Sequence, residues 1–184
     1  MPITGWMGPN PDNPNSLRVW TRESVVEAIA EKRSTTPVGR LDFHGADWRD
    51  LDLTGLDLSS LNLGGAGLGG VDASGALFRD TELFGASLPA SLVGADLTHA
   101  DLCKCMGDGT DFTDASLVNA RLTRGDFYEA TFVRADLSEA FLTDAFVHGC
   151  DMTGARLDGA EVSWSLNECI VDEATAVGAR GDLL

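Results

Sequence analysis

Aspartate is the side chain best placed to do chemistry in this sequence, because it recurs at fixed spacing: Asp42, Asp47, Asp52 and Asp57 early, then Asp96, Asp101, Asp111 and Asp136. Paired carboxylates could act as general acid and base, or hold a hard cation. A recurrence every five residues along most of a chain has a simpler cause. Aspartate accepts hydrogen bonds from nearby backbone N–H groups and so favours turns. The three histidines, His44, His99 and His148, would lie on different faces and coils and form neither a metal cluster nor a nucleophile–base pair. Cys103-Lys104-Cys105 resembles a ligand pair, but in the repeat frame Cys105 and Cys150 take small inward slots while Cys103 faces outward. Core packing therefore accounts for these cysteines better than metal binding. Gly64, Gly65, Gly67, Gly69 and Gly70 occupy outward or corner positions of the repeat and do not compose a phosphate loop. The expectation is a chain with no catalytic residues, no cofactor and no metal, and not an enzyme.

The element that positions these residues is the five-residue rhythm itself. Read in fives from Leu41, the chain gives LDFHG, ADWRD, LDLTG, LDLSS, LNLGG and later ADLTH, ADLCK, TDFTD, ASLVN. The third position is nearly always a large apolar residue, the first is small or aliphatic, and the second is most often Asp. A period of five fits neither the 3.6 of a helix nor the 2.0 of a strand. It marks a solenoid in which each unit buries its apolar face against its neighbours. The central positions run in strict step from Phe43 to Leu88, slip by one residue at Pro89-Ala90, and resume at Leu92. Gly107, and more mildly Ala73, fail to supply a large central side chain, and a bulge or gap is expected around Gly107.

The bulk numbers narrow the partners. The 184 residues carry 13 Lys+Arg against 29 Asp+Glu, a formal net charge of -16. That disfavours direct contact with nucleic acid or an anionic membrane and favours a basic protein partner. Neither a signal peptide nor a membrane-spanning run is evident, so a cytoplasmic location is expected. Four domains of organisation follow. Residues 1–16, rich in Pro, Asn and Gly, read as a flexible arm. Residues 17–37 read as an N-terminal helical cap, with Thr21 as N-cap, Trp20 and Val25 as a hydrophobic staple, and Lys32 and Arg33 at the negative end of the dipole. Residues 38–164 are the repeats, and 165–184 a C-terminal cap or tail in which Val171 to Val177 reads as a short helix.

The motif resembles that of the pentapeptide-repeat family, Ala-(Asp/Asn)-Leu-X-X, matched by Ala95-Asp96-Leu97, Ala100-Asp101-Leu102 and Ala135-Asp136-Leu137. The resemblance implies an all-β solenoid, a right-handed quadrilateral β-helix of about six coils, in which four repeats make one square turn. Residues twenty apart then stack into four internal ladders, and at a strand spacing of about 4.8 Å the rod is about 30 Å long. The family includes acidic rods that resemble B-form DNA and bind type II topoisomerases such as DNA gyrase, protecting them from quinolones or toxins. Between residues 41 and 164 the chain has 21 acidic and 7 basic side chains, a net of -14. On such a rod that is about one charge per 2 Å, close to the roughly 1.7 Å of duplex DNA. The third face would align Asp52, Asp72, Asp111 and Asp151 in one column, the expected partner-binding surface. Projecting loops, frequent in gyrase-protecting members, are absent from this sequence. Phe141, Phe146, Trp164, Leu166 and Ile170 gather near the last coil, where they serve either an intramolecular cap or the two-fold homodimer contact that the family often uses. The alternative function is a passive scaffold or adaptor that docks a partner through the N-terminal arm and helix.

Overall fold

The computed structural model describes residues 19–35, 41–162 and 168–172; the arm of residues 1–16 lies outside them. The first element is helix α1, Arg22–Thr35. Its start is set by a reciprocal cap. The Ser24 N–H donates to Thr21 Oγ1 at 3.2 Å, and the Thr21 N–H donates to Ser24 Oγ at 2.9 Å. Trp20 and Val25 are both buried, as a staple requires.

From Leu41 onward the chain winds as a parallel β-helix. Each central residue donates its N–H to the second-position carbonyl of the next coil (Phe43 to Asn62 at 2.8 Å, Leu63 to Glu82 at 2.7 Å). Each second-position N–H returns to a first-position carbonyl of the coil before, as Gly67 does to Ala46 at 2.9 Å. Bridges of this kind form four ladders, one per face: those through Asp42, Asp47, Asp52 and Asp57. Among the described residues, continuous pairing is long enough to count as strand only at β1 (Leu41–Asp42) with β2 (Leu61–Asn62), and at β3 (Phe141–Leu142) with β4 (Glu161–Val162), both parallel.

The corners explain the rest of the repeat. The N–H that opens each unit donates to the central carbonyl of the unit before, as Ala46 does to Phe43 at 3.0 Å, closing a tight turn. The residue ahead of that N–H takes a positive φ, 64° at Gly55, 66° at Gly75 and 57° at Asn119, as the third residue of a type II turn demands. Second-position aspartates brace the same turn: Asp96 Oδ1 accepts from the Thr98 N–H at 3.0 Å, and Asp136 Oδ1 from the Ser138 N–H at 3.0 Å. First and central positions point inward, and from Ala95 to Ala160 every one of them is buried. Two first positions hold threonine, and each buried hydroxyl finds a carbonyl: Thr81 donates to Leu58 at 2.9 Å and Thr110 to Pro89 at 3.0 Å.

The one-residue slip is confined to one coil. Ladder partners lie twenty apart through Gly67 and Ser87, nineteen apart from Asp72–Ser91 to Ser87–Met106, and twenty again from Ser91–Asp111. Three expectations are corrected. No bulge or gap forms at Gly107, because the ladder runs through it (Leu88 N–H to Met106 at 2.8 Å, Gly107 N–H to Asp126 at 2.7 Å) and the Phe127 ring fills the missing volume. Cys103, though on the outer side of its coil, is buried rather than facing solvent. The repeat ladder also reappears beyond Ser165: Ile170 bridges Asp151, donates its N–H to Cys150 at 2.8 Å and accepts from the Met152 N–H at 2.8 Å.

Among the described residues no coil precedes the first, so its outward carbonyls find no ladder donors there, and an uncovered edge is a site for unwanted pairing. Helix α1 supplies the donors. Arg22 donates to the Asp52 and Thr54 carbonyls at 2.6 and 2.8 Å, Lys32 to Asp42 at 2.6 Å, and Arg33 to Asp57 and Ser59 at 3.3 and 3.2 Å. Below the helix, Trp20, Phe43 and Trp48 pack edge to face or tilted at 5.4–5.8 Å between ring centroids. No helix among the described residues is long and apolar enough to cross a membrane.

Candidate functional site

The ladder of the third face brings Asp52, Asp72, Ser91, Asp111, Thr131 and Asp151 into one column, each bridged to the next. Local chemistry fixes the four carboxylates. Asp52 Oδ1 accepts from the Thr54 N–H at 2.9 Å and its hydroxyl at 2.5 Å, and Asp72 Oδ1 from Ser74 at 2.9 and 2.6 Å. Asp111 accepts from the Thr113 N–H at 2.8 Å, and Asp151 from Thr153 at 3.0 and 2.7 Å. The Thr54 and Ser74 hydroxyls, followed by the backbone N–H groups, hold the Asp52 and Asp72 carboxyls below the ordinary aspartate range, although Asp52 and Asp72 repel each other. These aspartates are therefore turn-formers and surface groups at once, one oxygen of each serving the backbone.

Arginines do not neutralise the column evenly. Every arginine from 41 to 162 ion-pairs with an aspartate: Arg49 with Asp47, Arg79 with Asp96, Arg121 with Asp101, Arg124 with Asp144, Arg134 with Asp114, and Arg156 with Asp136 and Asp158. Arg22 of the cap reaches Asp52 at 3.2 Å. Among the described residues none ion-pairs with Asp72, Asp111 or Asp151, so this face keeps an uncompensated line of negative charge.

The expected cap or dimer residues are only partly brought together. Phe141 lies in β3, 38% exposed, and Phe146 is 53% exposed on the neighbouring face. Ile170 takes the outward slot after Asp151 on the third-face ladder, 61% exposed. Trp164 and Leu166 lie outside the described residues.

The structure adds a cluster that the spacing of the histidines did not suggest. His148 packs against Tyr128 and Phe146 with centroids 5.7 and 6.0 Å apart, while Tyr128 and Phe146 are 6.5 Å apart; all three rings lie within 24° of parallel. The signal was present: Tyr128 and His148 stand one coil apart at the same repeat position. Cys103, Cys105 and Cys150 are buried. Burial pushes the Cys103 thiol up to about 11 and the Cys150 thiol up to about 12, and raises that of Cys105 further still. Cys150 Sγ donates to the Phe127 carbonyl at 2.9 Å. Among the described residues, no group of three or more His, Cys, Asp or Glu is placed to hold a metal ion.

Comparison with known proteins agrees with this architecture. The family model described as pentapeptide repeats matches 8 copies over residues 90–127 and 130–166. No curated protein matches the chain. Among solved structures, the chain is similar to HetL, a pentapeptide repeat protein involved in heterocyst differentiation regulation from the cyanobacterium Nostoc sp. strain PCC 7120. The identity is 23%, over 77% of this chain and 77% of that one, with a TM-score of 0.53. QnrB1, a plasmid-mediated fluoroquinolone resistance protein, aligns at 19% identity over 76% of this chain and 88% of its own, with a TM-score of 0.37. A pentapeptide repeat protein of the Arabidopsis thaliana thylakoid lumen aligns at 25% over 59% and 69%, with a TM-score of 0.31. HetL supports the fold; the other two superpositions are too loose to add to it.

Proposed function

We propose that this chain, which belongs to the pentapeptide-repeat family, is a non-enzymatic protein-binding rod whose acidic surface occupies a basic DNA-binding saddle, that of DNA gyrase or another type II topoisomerase. The observation that carries this reading is the third-face column, where Asp72, Asp111 and Asp151 have no cationic partner among the described residues while the arginines are engaged elsewhere. Coils stack at about 4.8 Å, so the column sets carboxylates about 5–10 Å apart along a stiff axis, a repeat of charge that a phosphate-binding surface can read. The turn bonds hold each carboxylate in place before binding, which lowers the ordering cost of the contact.

The test is a gyrase supercoiling assay with purified protein. The reading expects micromolar protein to change supercoiling, DNA cleavage or quinolone poisoning. No effect on any of the three would eliminate it.

Two further readings have their own observations. An adaptor role through α1 is supported by a cleft of about 200 Å³ between the helix and the first coil, lined by Val26, Ile29, Ala30, Arg33, Leu56 and Asp57. A homodimer through the C-terminal coils is supported by exposed Phe141 and Phe146, and a monomeric mass in solution would dismiss it.

A further inference from the structure

The second face differs from the others in what it lacks. Its ladder runs Asp47, Gly67, Ser87, Met106, Asp126, Phe146, and from Ala66 to Gly149 the units of this face contain no lysine or arginine. They do contain Asp108, Asp126 and Glu129, and Glu168 adds a carboxylate that reaches His148 Nε2 at 3.3 Å. Burial, and then the neighbouring Asp108 carboxylate, raise the Asp126 carboxyl above its ordinary range, while Asp126 Oδ1 is buried without a hydrogen-bond partner. Amid these charges stand two exposed aromatic rings, Tyr128 at 41% and Phe146 at 53%, braced by His148.

Elsewhere the chain supplies its own cation to an aromatic ring. Lys104 Nζ lies 5.2 Å from the centroid of the exposed Phe84 ring, and Lys32 Nζ 4.2 Å from that of Phe43. Tyr128 and Phe146 stand on the stretch of the second face, from Ala66 to Gly149, that has no lysine or arginine. Exposed aromatic surface ringed by carboxylates is complementary to a cation with a flat, weakly hydrated face, which is a guanidinium rather than an ammonium. Tyrosine and arginine are also the residues that most often dominate protein interfaces.

We infer that the patch formed by Tyr128, Phe146 and His148 with Asp108, Asp126 and Glu129 receives an arginine-bearing segment of the partner protein, the guanidinium lying against the rings and ion-paired to the carboxylates. This rests on the acidic-surface reading for the charge of the partner, but it places the anchoring contact on the second face rather than on the Asp72–Asp111 column.

The test uses the full chain and two fluorescein-labelled ten-residue probes, one alternating Arg and Gly and the other Lys and Gly, followed by fluorescence anisotropy at low ionic strength. Two double variants separate the faces: Tyr128→Ser with Phe146→Ser, and Asp72→Ser with Asp111→Ser. Serine already stands in the column at Ser91, and melting temperatures verify that both variants fold. Two exposed cation–aromatic contacts predict about a tenfold loss of Arg-probe affinity in the ring variant. The wild type should also prefer the Arg probe over the Lys probe by at least about threefold, and the ring variant should lose that preference. The column variant should lose less than about threefold. A loss confined to the column variant overturns the patch and leaves the acidic-face reading standing. Failure of the wild type to bind either probe overturns both. Equal losses in the two variants, or a wild-type dimer that the ring variant turns into monomer, overturn the patch as a partner site.

Discussion

Leucine is the residue that the repeat pattern calls for at position 107, and the structure says that installing it will damage the fold. Gly107 has an ordinary backbone conformation, so no turn demands glycine there. What forbids a side chain is the next coil. A Cβ at Gly107 would stand 2.9 Å from Phe127 Cδ1 and 3.1 Å from both Phe127 Cε1 and Leu88 Cδ1. The other edge of the ring fills the space that a side chain at Gly125 would take, a Cβ there standing only 2.6 Å from it. Phe112 and Phe132, themselves stacked at 4.8 Å and 2°, meet it at 6.0 and 5.8 Å. Overpacking of this kind costs about 1–3 kcal/mol, and a leucine, with three carbons beyond the Cβ, belongs at the upper end. Gly107→Leu should therefore destabilise by about 3 kcal/mol. Phe127→Ala alone should cost about 3–5 kcal/mol through the cavity it opens. In that background Gly107→Leu should change sign and stabilise, giving a coupling of more than about 3 kcal/mol. Guanidinium unfolding of the four proteins, compared by midpoint at constant slope, measures the cycle. A stabilising Gly107→Leu in the wild type, or additive effects, would refute the packing argument.

Other predictions follow from the same geometry. Asp126→Asn should raise the melting temperature at pH 7. The folded Asp126 carboxyl is raised, so its ionisation costs stability as pH climbs through the folded value, and the benefit of Asn should vanish below the unfolded aspartate range of about 4. Asp72→Ala should lower the melting temperature more than Asp72→Asn, which keeps the acceptor for Ser74. Because the folded Asp72 carboxyl is depressed, its contribution is present above the unfolded range and should disappear in acid titration as pH falls through the lower, folded value. Replacing Arg22 and Arg33 together by alanine should uncover the first-coil carbonyls, lowering the melting point by an amount equivalent to roughly 1–2 kcal/mol after allowance for partial exposure. Light scattering should then report self-association through the freed edge; a variant that stays monomeric with an unchanged melt would show that α1 covers nothing of consequence.

The repeat made most of the interior legible. Position in the five-residue unit told which residues point inward, placed the slip at Pro89, and aligned Asp52, Asp72, Asp111 and Asp151 in one column, because a period locked to four faces converts sequence distance directly into stacking. It failed where two coils compensate each other. Gly107 and Phe127 are members of one ladder, small beside large, and reading position 107 alone suggested a void that the ring fills. The cap was half legible: Lys32 and Arg33 suited the helix dipole, but their donation to first-coil carbonyls depends on how the helix crosses the coil, which no local pattern records. The three histidines lie on different faces and coils, and what His148 does meet is aromatic, Tyr128 and Phe146, a contact that comparing histidine positions alone does not reveal. Trp164 and Leu166 sit where the period lapses, so the rhythm offers no register for them.

The most direct test of the central proposal is competition. Purified type II topoisomerase immobilised on a sensor should bind this protein at micromolar concentration or tighter, and duplex DNA of a length that fills the enzyme saddle should displace it in proportion to occupancy, with Asp72→Ser/Asp111→Ser and Tyr128→Ser/Phe146→Ser variants bound more weakly. Absence of binding, or a ternary complex in which DNA and this protein occupy the enzyme together, would contradict the proposal that the acidic rod takes the place of DNA.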